Sequence, residues 1–168
     1  MKTLQFTQDM LWAAHKWGRE LGGLSHSITR GAGNAAGRLG ELALAGYLGV
    51  DPSDAYGHDL LYHGERLEVK TKRRTCDPQG EYDVSVAEAS RHQTPDRYVF
   101  LSCTFQETRD GRYYQPQRVW YCGDLPYDVF WKHAELWRKG RTDDSNAFTT
   151  HQDMHNVKIS QLRTDLVS

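Results

Sequence analysis

A chain of 168 residues, 38% of them apolar, is long enough for one domain with a real core and short for two. Its 21 Lys and Arg against 22 Asp and Glu leave a net charge of −1, which excludes a polycation and confines any nucleic-acid affinity to a local patch. Cys76, Cys103 and Cys122 are odd in number and lack metal-ligand spacing, and no apolar run approaches the ~18 residues of a membrane span, so the expectation is a reduced, soluble, cytoplasmic protein that is not secreted.

Thr7 is placed to cap a helix running to about Leu21, with Met10, Ala13, Ala14, Trp17 and Leu21 as its buried stripe. His15, Lys16, Arg19 and Glu20 lie off that stripe, in solvent. Residues 25–34, Ser-His-Ser-Ile-Thr-Arg-Gly-Ala-Gly-Asn, have no periodicity and predict a loop. Gly31 and Gly33, with Arg30 and a helix start just beyond, suit a phosphate contact or, equally, a plain linker. Asn34 opens a second helix that runs to Leu48 and stops at Gly49, with Pro52 beyond. That helix is apolar almost all round and predicts burial, yet Glu41 shares a face with Gly37, Leu44, Ala45 and Leu48. A buried carboxylate needs a partner, which is either Arg38 three residues back or a metal ion. Gly37 and Gly40 thin the helix beside it, leaving room for backbone or substrate.

Runs 58–62 and 65–72 alternate as strands on either side of His63-Gly64, a two-residue connection with Gly where positive φ is needed. With Tyr62 opposite Glu65, counting back along the hairpin sets Asp59 opposite Glu68. Leu67, Val69 and Thr71 alternate with Glu68, Lys70 and Lys72, so the charges share a face. Directly opposed side chains lie about 4.5–5.5 Å apart at Cβ, and like charges there repel unless something neutralises them. A divalent cation would do so, and Mg²⁺ is commonly held by one or two carboxylates with water and substrate phosphate. Lys70, on the same face, is positioned to orient or activate an attacking water. The alternative is a surface hairpin whose Arg66, Glu68, Lys70 and Lys72 are solvated ion pairs. Between Glu65 and Thr75 five cations face two anions, a basic patch that serves either nucleic acid or solubility.

Downstream, residues 76–80 predict a loop, Tyr82, Val84 and Val86 a short strand, and residues 87–92 a polar helical turn. Tyr98 to Phe105 predicts a central strand, and Asp110-Gly111 a turn into a strand ending Arg118-Val-Trp-Tyr-Cys122. Asp128 to Lys139 reads as a helix with Phe130, Trp131, Ala134 and Trp137 on one stripe, closed by Gly140. His151 and His155 have helical zinc spacing, but no Glu follows His151 and the segment is not clearly helical, so solvated or structural histidines are expected. Asn156 to Leu162 predicts a last strand. This order of elements suits an α/β sandwich around a mixed sheet.

Asp59, eight residues, then Glu68-Val69-Lys70, with Gly40-Glu41 on a helix upstream, resembles the PD-(D/E)XK nuclease superfamily over about residues 34–72, with His58 where that family often has Pro. The resemblance implies a restriction-endonuclease-like α/β sandwich around a mixed β-sheet. That is one domain over 1–168, with a helical N-terminal segment at 1–33, a core at 34–122, and a C-terminal helix and strand at 123–168. It implies hydrolysis of DNA with Mg²⁺, for which Mn²⁺ substitutes. Asp59 and Glu68 would bind the metal, joined by the Val69 backbone carbonyl; Glu41 would complete the site and Lys70 would serve catalysis. Arg30, Lys72 and Arg73 are the expected phosphate contacts. The compact form looks similar to small nucleases of phages and mobile elements, such as junction resolvases, acting in the host cytoplasm as a monomer or a homodimer. A ribonuclease would use the same residues, since nothing in the motif reads a 2′-hydroxyl. A non-catalytic protein that binds nucleic acid or a partner on the same fold is the rival from another class.

Overall fold

A computed structural model of the chain describes residues 1–22, 32–53, 55, 57–107, 114–144 and 147–167. Near the N-terminus a short strand, β1 (Lys2–Leu4), leads into α1 (Gln8–Gly22), whose start is capped as predicted: Thr7 Oγ1 accepts from the Met10 N–H at 3.2 Å. Helix α2 (Ala32–Leu48) begins two residues before Asn34 and ends at Gly49, whose φ of 70° lets the chain turn out of the helix. The two helices lie together on one face of a five-stranded mixed sheet.

That sheet has the order β1-β6-β5-β3-β2 and is made by β1, β2 (Leu60–Tyr62), β3 (Glu65–Arg74), β5 (Arg97–Glu107) and β6 (Tyr114–Pro126). Strand β5 is central, as its apolar run predicts, pairing parallel to β3 and antiparallel to β6. Its alternate residues feed two cores. Val99, Leu101 and Cys103 pack with Leu39, Ala43 and Leu44 of α2 and with Leu67 and Val69 of β3. Tyr98 and Phe100 face the other way, into a second core with Val84, Val86, Phe130 and Val157. The second core is roofed by a separate three-stranded sheet, β4-β8-β7, made by β4 (Asp83–Ala87), β7 (Glu135–Trp137) and β8 (Met154–Lys158), and by the short helix α3 (Tyr127–His133). The fold is therefore α/β, with a mixed sheet between a helical layer and a second layer of strands and helix.

Several elements differ from expectation. The helix predicted from Asp128 to Lys139 stops at His133, and Glu135 to Trp137 form a strand instead, because Leu136 and Trp137 gain a ladder with His155 and Met154. Phe130 and Trp137 are both buried, but by helix and strand respectively, so helical spacing mimics a single stripe. The last strand begins at Met154 rather than Asn156, and a 3-10 turn at Ile159–Gln161 ends it. Trp17, expected in the buried stripe of α1, is 40% exposed and carries the Arg38 guanidinium over its ring at 4.9 Å. The turn expected at Asp110-Gly111 lies outside the described residues. Among the described residues no helix is long and apolar enough to cross a membrane.

Candidate active site

The hairpin turn forms as the dipeptide dictates: His63 (φ 49°) and Gly64 (φ 83°) both take left-handed conformations, the geometry of a two-residue turn that matches strand twist. Register follows from it, with Tyr62 opposite Glu65, Leu61 opposite Arg66 and Leu60 opposite Leu67. Strand β2 begins at Leu60, one residue after Asp59. The Asp59 N–H still reaches the Leu67 carbonyl at 2.9 Å, but its carboxylate then folds onto β3, where Oδ2 accepts from the Val69 N–H at 2.7 Å. An aspartate side chain thus stands in for a missing ladder carbonyl, anchored where the edge of β3 emerges from under β2.

Glu41 reaches the same edge from α2. Gly40 makes this possible: a Cβ there would overlap Thr71 Oγ1 and come within 3.0 Å of Leu101 Cδ1, so only glycine lets the helix settle this close to β3. Gly37 has no such contact, and the room expected beside it is open. Glu41 accepts from Arg38 Nη1 at 2.8 Å, with both side chains largely buried. On β3, the buried Glu68 accepts from Lys70 Nζ at 2.6 Å.

The electrostatics tie these groups together. Burial first, then the carboxylates of Glu41 and Glu68, push the Asp59 carboxyl up to about 7, against the pull of the Val69 N–H and Lys70. Glu41 is also raised, chiefly by burial and further by Glu68, while its hydrogen bond from Arg38 opposes the shift. Glu41 of α2, Asp59 just ahead of β2, and Glu68 and Lys70 of β3 therefore share one field at one sheet edge.

As the side chains stand, no three carboxylate, imidazole or thiol groups among the described residues close on a single point that would hold a metal. Glu41 turns to Arg38, Glu68 to Lys70 and Asp59 to a backbone N–H. The donor set nevertheless fits Mg²⁺ in kind: hard carboxylate oxygens gathered at one partly buried edge are the groups a divalent ion relieves. Such an ion would have to draw Glu68 from Lys70 and Glu41 from Arg38.

The expected phosphate contacts are scattered. Lys72 shares the face of Glu68 and Lys70, but it is mostly buried and donates to the Asp83 carbonyl at 3.2 Å, beside Arg74, which donates to the same oxygen at 2.8 Å. Burial brings the Lys72 ammonium down to about 8, with Arg74 adding to the effect. Arg73, exposed, stands on the opposite face of β3 by strand alternation. Arg30 lies outside the described residues. His155 sits in β8, bonded through Nε2 to Glu88 and edge-on to Trp131, while His151 is exposed, so the two are not helical neighbours.

No protein-family model matches the chain, and no curated protein does. The likeness to PD-(D/E)XK nucleases rests on the residues themselves. Sequence reading passed over Arg38 as more than a helix partner, and it passed over the ring of Tyr98, which is the register partner of Glu68. The only signal for Tyr98 was its place at the head of an apolar strand.

Proposed function

We propose that the protein is a Mg²⁺-dependent phosphodiesterase acting on DNA, with Glu41, Asp59, Glu68 and Lys70 as its working groups. The observation that carries this reading is the gathering of Glu41, Asp59, Glu68 and Lys70 at one sheet edge, where burial first, and then Glu41 and Glu68, raise the Asp59 carboxyl to about 7. Buried acids gathered with a cation at one edge, one of them raised well above its ordinary range, mark a candidate functional site. A divalent ion held there by Asp59, Glu68 and Glu41, with the Val69 carbonyl alongside, would supply a Lewis acid for water and phosphate. The chain's own contribution is then positional. Asp59 is fixed by the Val69 N–H, Glu41 is set by the close approach at Gly40, and Lys70 presents a cation where charge builds on the phosphate.

One observation favours the non-catalytic rival: Glu41 and Glu68 each already have a cation, Arg38 and Lys70. The deciding experiment incubates the protein with plasmid, single-stranded, four-way-junction DNA and RNA in Mg²⁺, Mn²⁺ or EDTA, alongside Lys70→Ala. Divalent-dependent cleavage that Lys70→Ala loses by about 10²–10³ in kcat, with metal and DNA binding kept, is the expected outcome. Cleavage by Lys70→Ala at the parent rate, or none by the parent with any metal, refutes the reading.

A further inference from the structure

A cationic, aromatic ledge lies one side chain away from Glu68. Tyr98 is the register partner of Glu68 across the parallel β3–β5 pair and shares its face of the sheet. Its ring meets Trp131 of α3 edge-on, with centroids 6.5 Å apart. Trp131 is held from several sides: edge-on by Phe130 at 5.3 Å and by His155 at 4.7 Å, and tilted against Tyr127 at 6.1 Å. Over the indole lies the Arg91 guanidinium, 4.8 Å from the ring centroid, with its side chain 57% exposed.

Arg91 is itself fixed in place. It follows the 3-10 turn Glu88–Ser90, its N–H donates to the Glu88 carbonyl at 3.0 Å, and its own carbonyl accepts from Tyr127 Oη at 3.2 Å. Glu88 lies 3.6 Å from the guanidinium and bonds His155 on its other side, which locks the turn to β8. A guanidinium set over an indole, exposed outward and braced by its backbone, is poorly explained as a fold-holding contact, since the backbone bonds already hold the turn.

We propose that Arg91 and Trp131 form a stacking platform for an unpaired nucleotide base, so that the substrate taken at the Glu68–Lys70 edge carries a single-stranded segment beside the point of attack. This rests on the nuclease reading for its location and extends it to substrate class. Every base has a π-face, so a platform of this kind binds single strands with little regard to sequence, and arginine planes serve as well as aromatic rings. In a continuous duplex both faces of each base are already covered by neighbours, so the ledge gains nothing from it.

The test is binding in EDTA, which separates it from cleavage. Fluorescence anisotropy follows the parent, Arg91→Ala, Arg91→Lys and Trp131→Phe with labelled oligo-dT, oligo-rU, an abasic strand of equal length and a blunt duplex, each variant first checked for its melting transition. Arg91→Ala and Arg91→Lys should both lose about tenfold in affinity for oligo-dT, because lysine keeps the charge but not the plane. The abasic strand and the duplex should change far less. Oligo-rU weakening alongside oligo-dT is expected of a base platform indifferent to the sugar. An equal loss on the abasic strand, full rescue by lysine, or no oligo-dT binding by the parent overturns the proposal. Cleavage by the parent in Mg²⁺ reports the nuclease assignment and oligo-dT binding in EDTA reports the ledge, so a failed ledge and a failed nuclease assignment give different results.

Discussion

Replacing Asp59 by Asn should stabilise the protein at neutral and alkaline pH, and the size of the effect should depend on pH in a defined way. The amide keeps an oxygen for the Val69 N–H and removes the charge that burial disfavours most and that Glu41 and Glu68 also repel. Asp59 rises from 3.8 to about 7 on folding. Near and below the lower value the group is protonated in both folded and unfolded chains and contributes nothing. Between the two, the unfolded chain gives up the proton and the folded chain keeps it, so the parent loses stability as pH rises; above about 7 the loss is complete. A shift of about 3 units sets a ceiling of about 4 kcal/mol, and because Asp59 keeps part of its surface in water, about 2 kcal/mol is the working figure. For a chain of this size that is about 4–8 °C in Tm. Urea melts of parent and Asp59→Asn in EDTA, from mildly acid to mildly alkaline pH, measure it directly. The variant's advantage should open across that interval and then level off. An advantage that is absent, or constant with pH, would falsify the claim that burial and its carboxylate neighbours disfavour the Asp59 charge. In the parent, Mg²⁺ should recover the lost stability at alkaline pH and far less in acid, where protons compete for the same oxygens.

Glu41→Gln should abolish most cleavage while changing the melting point little, since its amide oxygen still accepts from the Arg38 guanidinium; activity at the parent level would mark Glu41 as no more than Arg38's helix partner. Gly40→Ala should cost about 1–3 kcal/mol by forcing α2 away from Thr71 and Leu101. Thr71→Ala in the same chain should recover part of that loss, whereas simple additivity in a double-mutant cycle would show that the contact is not the cause. Asp124→Asn should cost about 3–5 kcal/mol, because Asp124 is fully buried and both the Arg97 guanidinium and the Tyr121 hydroxyl bond to it. A denaturation midpoint within a few tenths of a kcal/mol of the parent would show that this network is dispensable.

The parts of the site legible in the sequence are those governed by short-range periodicity. His63-Gly64 fixes the hairpin register, the register brings Asp59 to β3, and the two-residue alternation sets Glu68, Lys70 and Lys72 on one face. Glu41 was legible as an acid in an apolar helix, but its approach to β3 depends on Gly40 meeting Thr71, a contact thirty-one positions apart that no window reveals. The same limit explains the error at Trp137, where the competing partner, Met154, lies beyond any local pattern. Lys72 looked like a surface cation because its acceptor, the Asp83 carbonyl, belongs to a second sheet that the order of elements did not announce. Arg91 and Trp131, forty residues apart, carried no shared signal.

Strand β6 holds both extremities of the described chain. Along the edge away from β5, Thr3 pairs with Trp120 and, farther on, Asp124 exchanges backbone hydrogen bonds with Arg163 at 2.9 and 3.0 Å. During synthesis at about 5–20 residues per second, β1 must therefore wait roughly 6–23 s for its partner to be made, and Asp124 must wait in turn for Arg163. Helices α1 and α2 can form early from local contacts, but the sheet that positions Glu68 closes last, by joining segments remote in sequence. A ribosome stalled before residue 163 would hold a chain whose hairpin is written but whose frame is unfinished, a built-in delay before any activity at that edge could begin.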